Sequence, residues 1–346
     1  MHKNIFYDGT KLLSLKDINR QTPEIYICTT NRNAGKTTYF ARLCVNRFKD
    51  KHEKFCLIYR YKYELDNAAN KFFKVIGNLF FPGSTMESKI RAKGCYAELY
   101  FNGEPCGYVI PINASVQIKK LSHLFSDVKR MLFDEFQDEK NHYIEDEVDM
   151  LISIHTSIAR GEGEAIRYVP LYMVGNAVSI LNPYYVKMGI STILDAKTKF
   201  LRGDGYVIEQ GSYKEIAQLQ KTSGFNRAFS KSDYVAYAAE NVYLHDNLSF
   251  VETVSGSGRY ICTLRVDGSD YGVREYAGQG IVYVSPSADK TFPLRIAVTT
   301  DDHNINYVML RRNDFMISNL RYLFERGCFR FKDLNCKKAI MKTLSY

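Results

Sequence analysis

The sequence predicts an α/β protein with a mostly parallel sheet, followed by a separate α+β domain. In the first part of the chain, apolar runs typical of buried strands alternate with segments whose apolar residues recur at helical spacing. From residue 242 onward several strands come first and two amphipathic helices follow. We therefore predict one domain at 1–204, a linker at 205–241 and a second domain at 242–346.

The first strand and the helix after it enclose a phosphate-binding motif. The run Ile25–Cys28 leads through small polar residues to Gly35-Lys36-Thr37, and a helical segment follows. In such a loop the backbone N–H groups cradle phosphates, the lysine adds a positive charge, and the threonine hydroxyl ligates Mg²⁺. The usual pattern begins with a glycine where this chain has Thr30, so an ordinary helix start on the surface is an alternative. The predicted nucleotide-binding residues are Thr30, Asn31, Arg32, Asn33, Ala34, Gly35, Lys36, Thr37 and Thr38.

A second motif supports the first. Arg130–Phe136 reads as an apolar strand that ends in the adjacent carboxylates Asp134 and Glu135. Alone, such an ending is most often a helix cap with a solvated charge. Together with the phosphate loop, it predicts that Asp134 holds the Mg²⁺ shell and that Glu135 polarises the water attacking the γ-phosphate. The sequence thus predicts an NTPase that carries its own catalytic glutamate.

Four further polar residues lie at the ends of predicted elements. Arg60 and Lys62 follow the strand that begins at Phe55, at the edge where α/β sheets bind ligands, so they are candidates for DNA or phosphate contact. Exposed basic residues at a strand end are an equally good explanation. Asn176 ends another buried strand and should lie near the γ-phosphate. Arg160 ends a predicted helix, where local sequence alone favours pairing with the helix dipole.

Composition limits the class of protein and suggests its partners. The 346 residues are 45% hydrophobic and 25% charged, and no stretch approaches the roughly 20 apolar residues that span a bilayer. We therefore expect a cytoplasmic protein without a membrane partner. The net charge of +9 suits a polyanionic partner, although it can also serve solubility alone. Many of the basic residues are near the C-terminus, namely Arg311, Arg312, Arg321, Arg326, Arg330, Lys332, Lys337 and Lys338.

These motifs together resemble the DNA-packaging ATPases of short-tailed bacteriophages of the phi-29 type. The likeness runs along nearly the whole chain and is carried by Arg32, Tyr59–Lys62, Phe133–Phe136 and Asn176–Tyr185. The run Asn-Ala-Val-Ser followed by Asn-Pro-Tyr is specific, because no general ATPase rule demands it.

The resemblance implies a fold and a mechanism. The expected fold is an N-terminal ATPase domain of the additional-strand, catalytic-glutamate class and a C-terminal ribonuclease-H-like domain that has lost its nuclease centre. The expected function is a homo-oligomeric ring, usually a pentamer, that uses ATP and Mg²⁺ to drive double-stranded DNA through the portal of a procapsid. A structural packaging RNA is a further candidate partner. The expected location is the host cytoplasm, transiently on the procapsid.

The resemblance also implies roles for individual residues. Arg32, Lys36 and Thr37 would bind nucleotide, and Asn176 would couple hydrolysis to movement. Arg160 falls where the family has an arginine finger that the neighbouring subunit supplies. With the resemblance included, this role is favoured over pairing with the helix dipole. Lys119 or Lys120 would match a second cation acting in trans.

Two other classes of function remain open at this stage. One is a nucleic-acid-binding assembly or scaffold NTPase without translocation, which would have no need of Glu135. The other is a nuclease-competent terminase. Its carboxylates would have to come from residues such as Asp267 and Asp270, which a turn explains, and Asp301-Asp302, which a helix cap explains.

Overall fold

The structure is a computed structural model that describes residues 7–139, 142–160, 166–179, 182–190, 193–194, 198–211, 216–218, 222–228, 250–310 and 314–344. The chain divides into two compact units, residues 1–245 and 246–346. Among the described residues, no helix combines the length and the apolar character needed to cross a bilayer.

The first unit contains a sheet, helices and short 3₁₀ turns. Its strands are β1 (Ile25–Thr30), β2 (Lys54–Tyr59), β3 (Met86–Arg91), β4 (Tyr96–Phe101), β5 (Glu104–Pro111), β6 (Val128–Asp134), β7 (Leu171–Gly175), β8 (Phe200–Gly203) and β9 (Tyr206–Gly211). Its described helices are α1 (Thr10–Ser14), α2 (Lys36–Lys51), α3 (Ala68–Phe80), α4 (Ser115–Lys120), α5 (Glu147–Ala159), α6 (Pro183–Lys187) and α7 (Gly224–Ala228). The 3₁₀ turns are Lys62–Asn67, Ile112–Ala114 and Ser122–Phe125.

The nine strands form one sheet in the order β3-β4-β5-β2-β6-β7-β1-β9-β8. The six strands from β5 to β9 in this order are parallel, and β3, β4 and β8 add antiparallel pairs at the edges. Strand β7 lies between β1, which leads into the phosphate loop, and β6, which ends in the carboxylates. An additional strand at this place defines the predicted ATPase class, so the predicted fold of the first unit is confirmed.

Helices cover both faces of this sheet. Adjacent residues of one strand belong to different apolar cores, because side chains alternate across a strand: Leu132 packs with α2 and α3, whereas Phe133 packs with α4 and α5. Burial on both faces explains why the central strands are continuous apolar runs. Strands β4 and β5 form a hairpin, since they are antiparallel and their turn residues Asn102 and Gly103 both have positive φ, 50° and 86°.

The predicted linker is wrong at its start. Residues 206–211 form β9, which pairs in parallel with β1, and Val207 and Ile208 are fully buried. The linker was predicted because residues 205–240 are rich in Gly, Ser, Lys and Tyr, and the short apolar run of β9 lies within that stretch. The rest of 205–241 lies largely outside the described residues, and the other predicted domain limits remain predictions.

The second unit is a six-stranded sheet with two helices. Its elements are β10 (Arg259–Val266), β11 (Ser269–Tyr276), β12 (Ile281–Ser285), β13 (Arg295–Ala297), β14 (Val308–Met309), α8 (Asp314–Glu325), β15 (Phe329–Phe331) and α9 (Leu334–Leu344), with a 3₁₀ turn at Ala277–Gln279. Strands β10, β11 and β12 form an antiparallel meander, and β13 and β14 extend it in parallel beyond β10. This is the ribonuclease-H-like arrangement, as predicted.

Candidate active site

The phosphate loop connects β1 to α2 and has the backbone its sequence predicts. Gly35 has a φ of 91° and Asn33 a φ of 60°. Glycine and asparagine are the residue types that best tolerate this left-handed conformation. Thr30, which stands in place of the usual first glycine, does not have a positive φ. Its side chain is buried and its hydroxyl donates to the carbonyl of Asn31 at 3.1 Å. The loop therefore accommodates threonine at this position without backbone strain.

Lys36 and Asn176 meet at the edge of the sheet. Because β1 and β7 are neighbouring parallel strands, the residues that follow them lie at the same edge. The Lys36 ammonium donates to Oδ1 of Asn176 at 2.7 Å, and Lys36 is only 6% exposed. Burial lowers the pKa of Lys36 below its ordinary value. Asn176 therefore lies beside the loop lysine, and its predicted place near the γ-phosphate stays a prediction.

Thr37 and Asp134 offer oxygen ligands to a cation. The hydroxyl of Thr37 donates to Oδ1 of Asp134 at 3.0 Å. Burial, and next the charge of Glu135, raise the pKa of the Asp134 carboxyl to about 6. The described residues include no cluster of three or more metal-binding side chains, but Mg²⁺ commonly uses only one or two carboxylates together with substrate phosphates. A hydroxyl beside a half-buried carboxylate therefore fits Mg²⁺.

Glu135 follows β6 in an unusual backbone conformation. Its φ is 55°, and its amide donates to Oδ1 of Asp134 at 3.0 Å. A left-handed conformation costs a residue with a Cβ about 1–2 kcal/mol, so the surroundings must hold it in place. Glu135 lines a cavity of about 110 Å³ together with Thr37 and Asp134. The two carboxylates and the Thr37 hydroxyl thus border one space.

A larger cleft of about 820 Å³ adjoins the phosphate loop and is bordered by residues that the sequence reading missed. Asn33 and Gly35 to Thr38 form part of its wall, and the rest is formed by Tyr7, Asp8, Tyr39, Arg42, Leu79 and Phe80. The Arg42 guanidinium lies 4.3 Å from the centre of the Phe80 ring. Tyr7 is tied to the loop, because its amide donates to the carbonyl of Ala34 at 2.7 Å. Tyr7 and Phe80 are far from the loop in the sequence, and no motif links them to it.

Arg32 is the loop residue that only the resemblance singled out. Its guanidinium lies 3.1 Å from the carboxylate of Glu139, and the two side chains are 36% and 35% exposed. A half-exposed pair of this kind contributes at most about 1 kcal/mol to stability. The role of Arg32 in nucleotide binding stays a prediction.

Arg60 is not available for DNA or phosphate contact, and that prediction is wrong. Its side chain is 8% exposed and forms two hydrogen bonds to Glu147, with Nε–Oε2 and Nη2–Oε1 distances of 2.8 and 3.0 Å. Arg60 does follow β2 at the edge of the sheet, but its guanidinium turns inward to a carboxylate of α5. Lys62 is half-buried at the start of a 3₁₀ turn, and its predicted contact stays a prediction.

Arg160 and the two lysines lie on the side of the sheet that carries α4 and α5. Arg160 is exposed and directly follows α5, and its guanidinium forms no ion pair with the described residues. The 13 residues of α5 separate it by roughly 20 Å from Glu147. Lys119 and Lys120 are exposed at the end of α4, which packs against α5 through Ile118. Their roles in trans stay predictions.

The carboxylates of the second unit have structural partners. Asp302 accepts hydrogen bonds from the amides of Asp267 and Gly268 at 2.8 and 2.6 Å and from the hydroxyl of Thr299. Asp270 accepts a hydrogen bond from Tyr307 at 2.9 Å. The expectation that Asp301-Asp302 caps a helix is wrong, because Asp302 instead holds the turn between β10 and β11.

Several basic residues near the C-terminus form contacts within the second unit. Arg321 donates to the carbonyl of Leu344, and Arg330 pairs with Glu252. Arg311 and Arg312 lie outside the described residues.

We expect Asp302→Asn to destabilise the second unit by about 2 kcal/mol, because hydrogen bonds to a charged acceptor contribute roughly that much. Burial alone would raise the pKa of Asp302, but hydrogen bonds from Thr299 and the two amides lower it. The contribution should therefore be present above pH 3.8, the ordinary pKa, and lost as the pH falls through the lowered value. Hydrogen exchange of the Asp267 and Gly268 amides in the full chain measures this, with the exposed Asp301→Asn as the matched control. Equal protection in both variants at neutral pH would contradict the assignment.

Comparison with known proteins gives the family. The model of the family described as Podovirus DNA encapsidation protein (Gp16) matches residues 1–345. The DNA packaging proteins of Bacillus phages PZA and phi29 are 28% and 27% identical over 335 residues, which cover 96% of this chain and 94% of each relative. The solved bacteriophage Phi-29 viral genome packaging motor assembly matches with a TM-score of 0.68 at 22% identity, covering 99% of this chain and 98% of that one, and so shares its fold. The chain therefore belongs to the Podovirus DNA encapsidation protein (Gp16) family.

Proposed function

We propose that this protein hydrolyses ATP with Mg²⁺ at sites shared between copies of the chain, and that hydrolysis drives double-stranded phage DNA into a procapsid. The observation that carries the proposal is the meeting of Lys36 and Thr37 with Asp134, Glu135 and Asn176 at one edge of the sheet. The relatives named as DNA packaging proteins support the link to packaging.

Binding begins at the phosphate loop. Its backbone N–H groups and the Lys36 ammonium hold the β- and γ-phosphates, and the 820 Å³ cleft beside the loop accommodates the nucleoside. An ammonium has three donors, so Lys36 can bind the γ-phosphate and keep its hydrogen bond to Asn176. Loss of the γ-phosphate then changes the environment of Asn176, which is how this residue would couple hydrolysis to movement.

Hydrolysis uses the two carboxylates in different roles. Thr37 and Asp134 would hold Mg²⁺, which when bound would neutralise charge on the phosphate oxygens. Glu135 orients the attacking water and accepts its proton.

A neighbouring copy completes the site. Arg160 stabilises the charge of the transferring phosphoryl group from the next subunit, with Lys119 or Lys120 as a second cation. The Arg160 guanidinium is exposed and lies at the opposite end of α5 from Glu147. This exposed position supports a contact with the neighbouring subunit. The assembly is a homo-oligomeric ring, and by resemblance a pentamer.

The partners follow from charge and family. The net charge of +9 favours contacts with DNA phosphates, so binding should be independent of sequence and weakened by salt. Lys62 is a candidate contact. The ring would dock on the portal of the procapsid, with a structural packaging RNA as a further candidate partner, in the cytoplasm of the infected host cell.

A packaging assay tests the proposal directly. Purified protein, portal-bearing procapsids of its phage and linear double-stranded DNA are mixed with ATP and Mg²⁺, and DNA protected from added nuclease is measured. We expect protection with the wild-type protein and none with Lys36→Ala. Binding to DNA or procapsid without ATP-dependent protection would support the assembly NTPase instead, and Mg²⁺-dependent cutting would support the terminase.

A further inference from the structure

The backbone at Glu135 requires support that the residues already described do not supply. Its φ of 55° is unusual for a residue with a side chain, and such a conformation persists only where the surrounding structure fixes it. The hydrogen bond from its amide to Asp134 fixes one side of the residue. On the other side, the amide of Phe136 donates to the carbonyl of Val174 at 3.3 Å, and the carbonyls of Glu135 and Phe136 take a separate donor.

The Arg60 guanidinium is that donor. Its Nη2 donates to the carbonyl of Phe136 at 2.9 Å and its Nη1 to the carbonyl of Glu135 at 3.4 Å. Arg60 reaches these groups because β2 and β6 are neighbouring parallel strands and both end at this edge. One planar group therefore contacts two successive carbonyls of the segment that carries the proposed catalytic glutamate.

Glu147 and Tyr184 fix the direction of Arg60. The Glu147 carboxylate, on a residue only 2% exposed, binds Nε and Nη2 of Arg60. It also accepts hydrogen bonds from the Tyr184 hydroxyl at 2.5 Å and from the amide of Ile144 at 3.0 Å. A guanidinium held on both sides in this way has one orientation, which the single ammonium of a lysine would not reproduce.

Stability alone does not account for this arrangement. A buried ion pair is weak evidence for stability, because packed apolar residues of the same volume are often as good or better. The contacts instead form a chain of hydrogen bonds that runs from Tyr184 through Glu147 and Arg60 to the carbonyls after β6. The network also gives a physical role to Tyr184 of the Asn-Pro-Tyr run.

We propose that Arg60, Glu147 and Tyr184 are positioning residues that hold the Glu135 carboxylate in its productive place. None of them is among the residues proposed above to bind the nucleotide or the cation. The inference rests on the proposed ATP hydrolysis, and it explains why a buried charge cluster adjoins the site.

Two conservative variants test the network. Arg60→Lys keeps the charge and removes the planar guanidinium with its several donors. Tyr184→Phe removes one hydroxyl and keeps the ring. Displacement of a catalytic group by about 1 Å can cost 10²-fold, so we expect kcat per nucleotide-binding subunit to fall by about that factor in Arg60→Lys, and by less in Tyr184→Phe. The dissociation constant for ADP should not change in either variant, because Lys36 and the phosphate loop are untouched. The matched control is Arg130→Lys, another buried arginine paired with a carboxylate, Glu53, near the start of β6.

A double-mutant cycle separates positioning from general destabilisation. If Arg60 acts through Glu135, Arg60→Lys should lower the single-turnover rate of the wild type but not the residual rate of Glu135→Gln. An additive loss in the double variant, or an unchanged kcat in both conservative variants, would overturn the inference. If the Arg60→Lys protein does not bind nucleotide, the kcat of Tyr184→Phe alone tests the inference. Absence of hydrolysis in the wild type would instead refute the proposed function itself.

Discussion

Replacing Glu135 by glutamine is expected to stop ATP turnover and leave nucleotide binding intact. The change keeps the shape of the side chain but removes the group that accepts the proton of the attacking water. Loss of a general base typically costs 10²–10⁴-fold in rate, so we expect kcat to fall by about this factor. Affinity for ATP should be preserved, because the phosphate loop, Lys36 and Thr37 are unchanged. Phosphate release and binding of a fluorescent ATP analogue measure the two properties separately.

The controls for this experiment are one variant that loses binding and one that loses neither property. Lys36→Ala should abolish nucleotide binding. Glu145→Gln removes an exposed carboxylate from the segment before α5 and should turn over ATP like the wild type. Turnover retained by Glu135→Gln would assign the base to another residue and leave Glu135 as a structural carboxylate.

Replacing Arg160 by alanine should have an equally large effect, but one that a second protein can repair. An arginine finger contributes about 10³–10⁵-fold to the rate, so Arg160→Ala alone should hydrolyse ATP very slowly. When it is mixed with Lys36→Ala, some interfaces combine an intact phosphate loop with an intact Arg160 from the neighbour. Those interfaces should recover activity, which the rate of phosphate release as a function of mixing ratio measures.

The exposed Arg202 of β8 provides the matched control for Arg160. Arg202→Ala should retain the wild-type rate, because it lies on an edge strand away from α5. Mixtures that remain as slow as the separate variants, while still assembling, would show that Arg160 does not act on a neighbouring site.

Residues near the carboxyl ends of parallel strands could be placed from the sequence. Asp134 ends β6, Asn176 directly follows β7, and Lys36 follows the loop after β1; these three strands are neighbours in the sheet, and their carboxyl ends meet at one edge. The motif types and the strand pattern together therefore predicted which side chains meet, although the assignment of their roles still awaits experiment.

Partners of buried side chains could not be placed in the same way. Arg60 was correctly placed at the sheet edge, but its partner Glu147 is 87 positions away and no local pattern links the two. The cleft beside the phosphate loop was missed for the same reason, since Tyr7 and Phe80 meet only in the folded chain. Strand β9 was missed because the surrounding glycines obscured a short apolar run.

The most direct test of a shared, DNA-driven ATPase is the rate of ATP hydrolysis per subunit measured against protein concentration, with and without double-stranded DNA. If neighbouring copies complete each site, the wild-type rate per subunit should rise with concentration until the ring is assembled and should rise further with DNA. A rate per subunit that is constant at all concentrations and indifferent to DNA would contradict shared active sites and the packaging motor built on them.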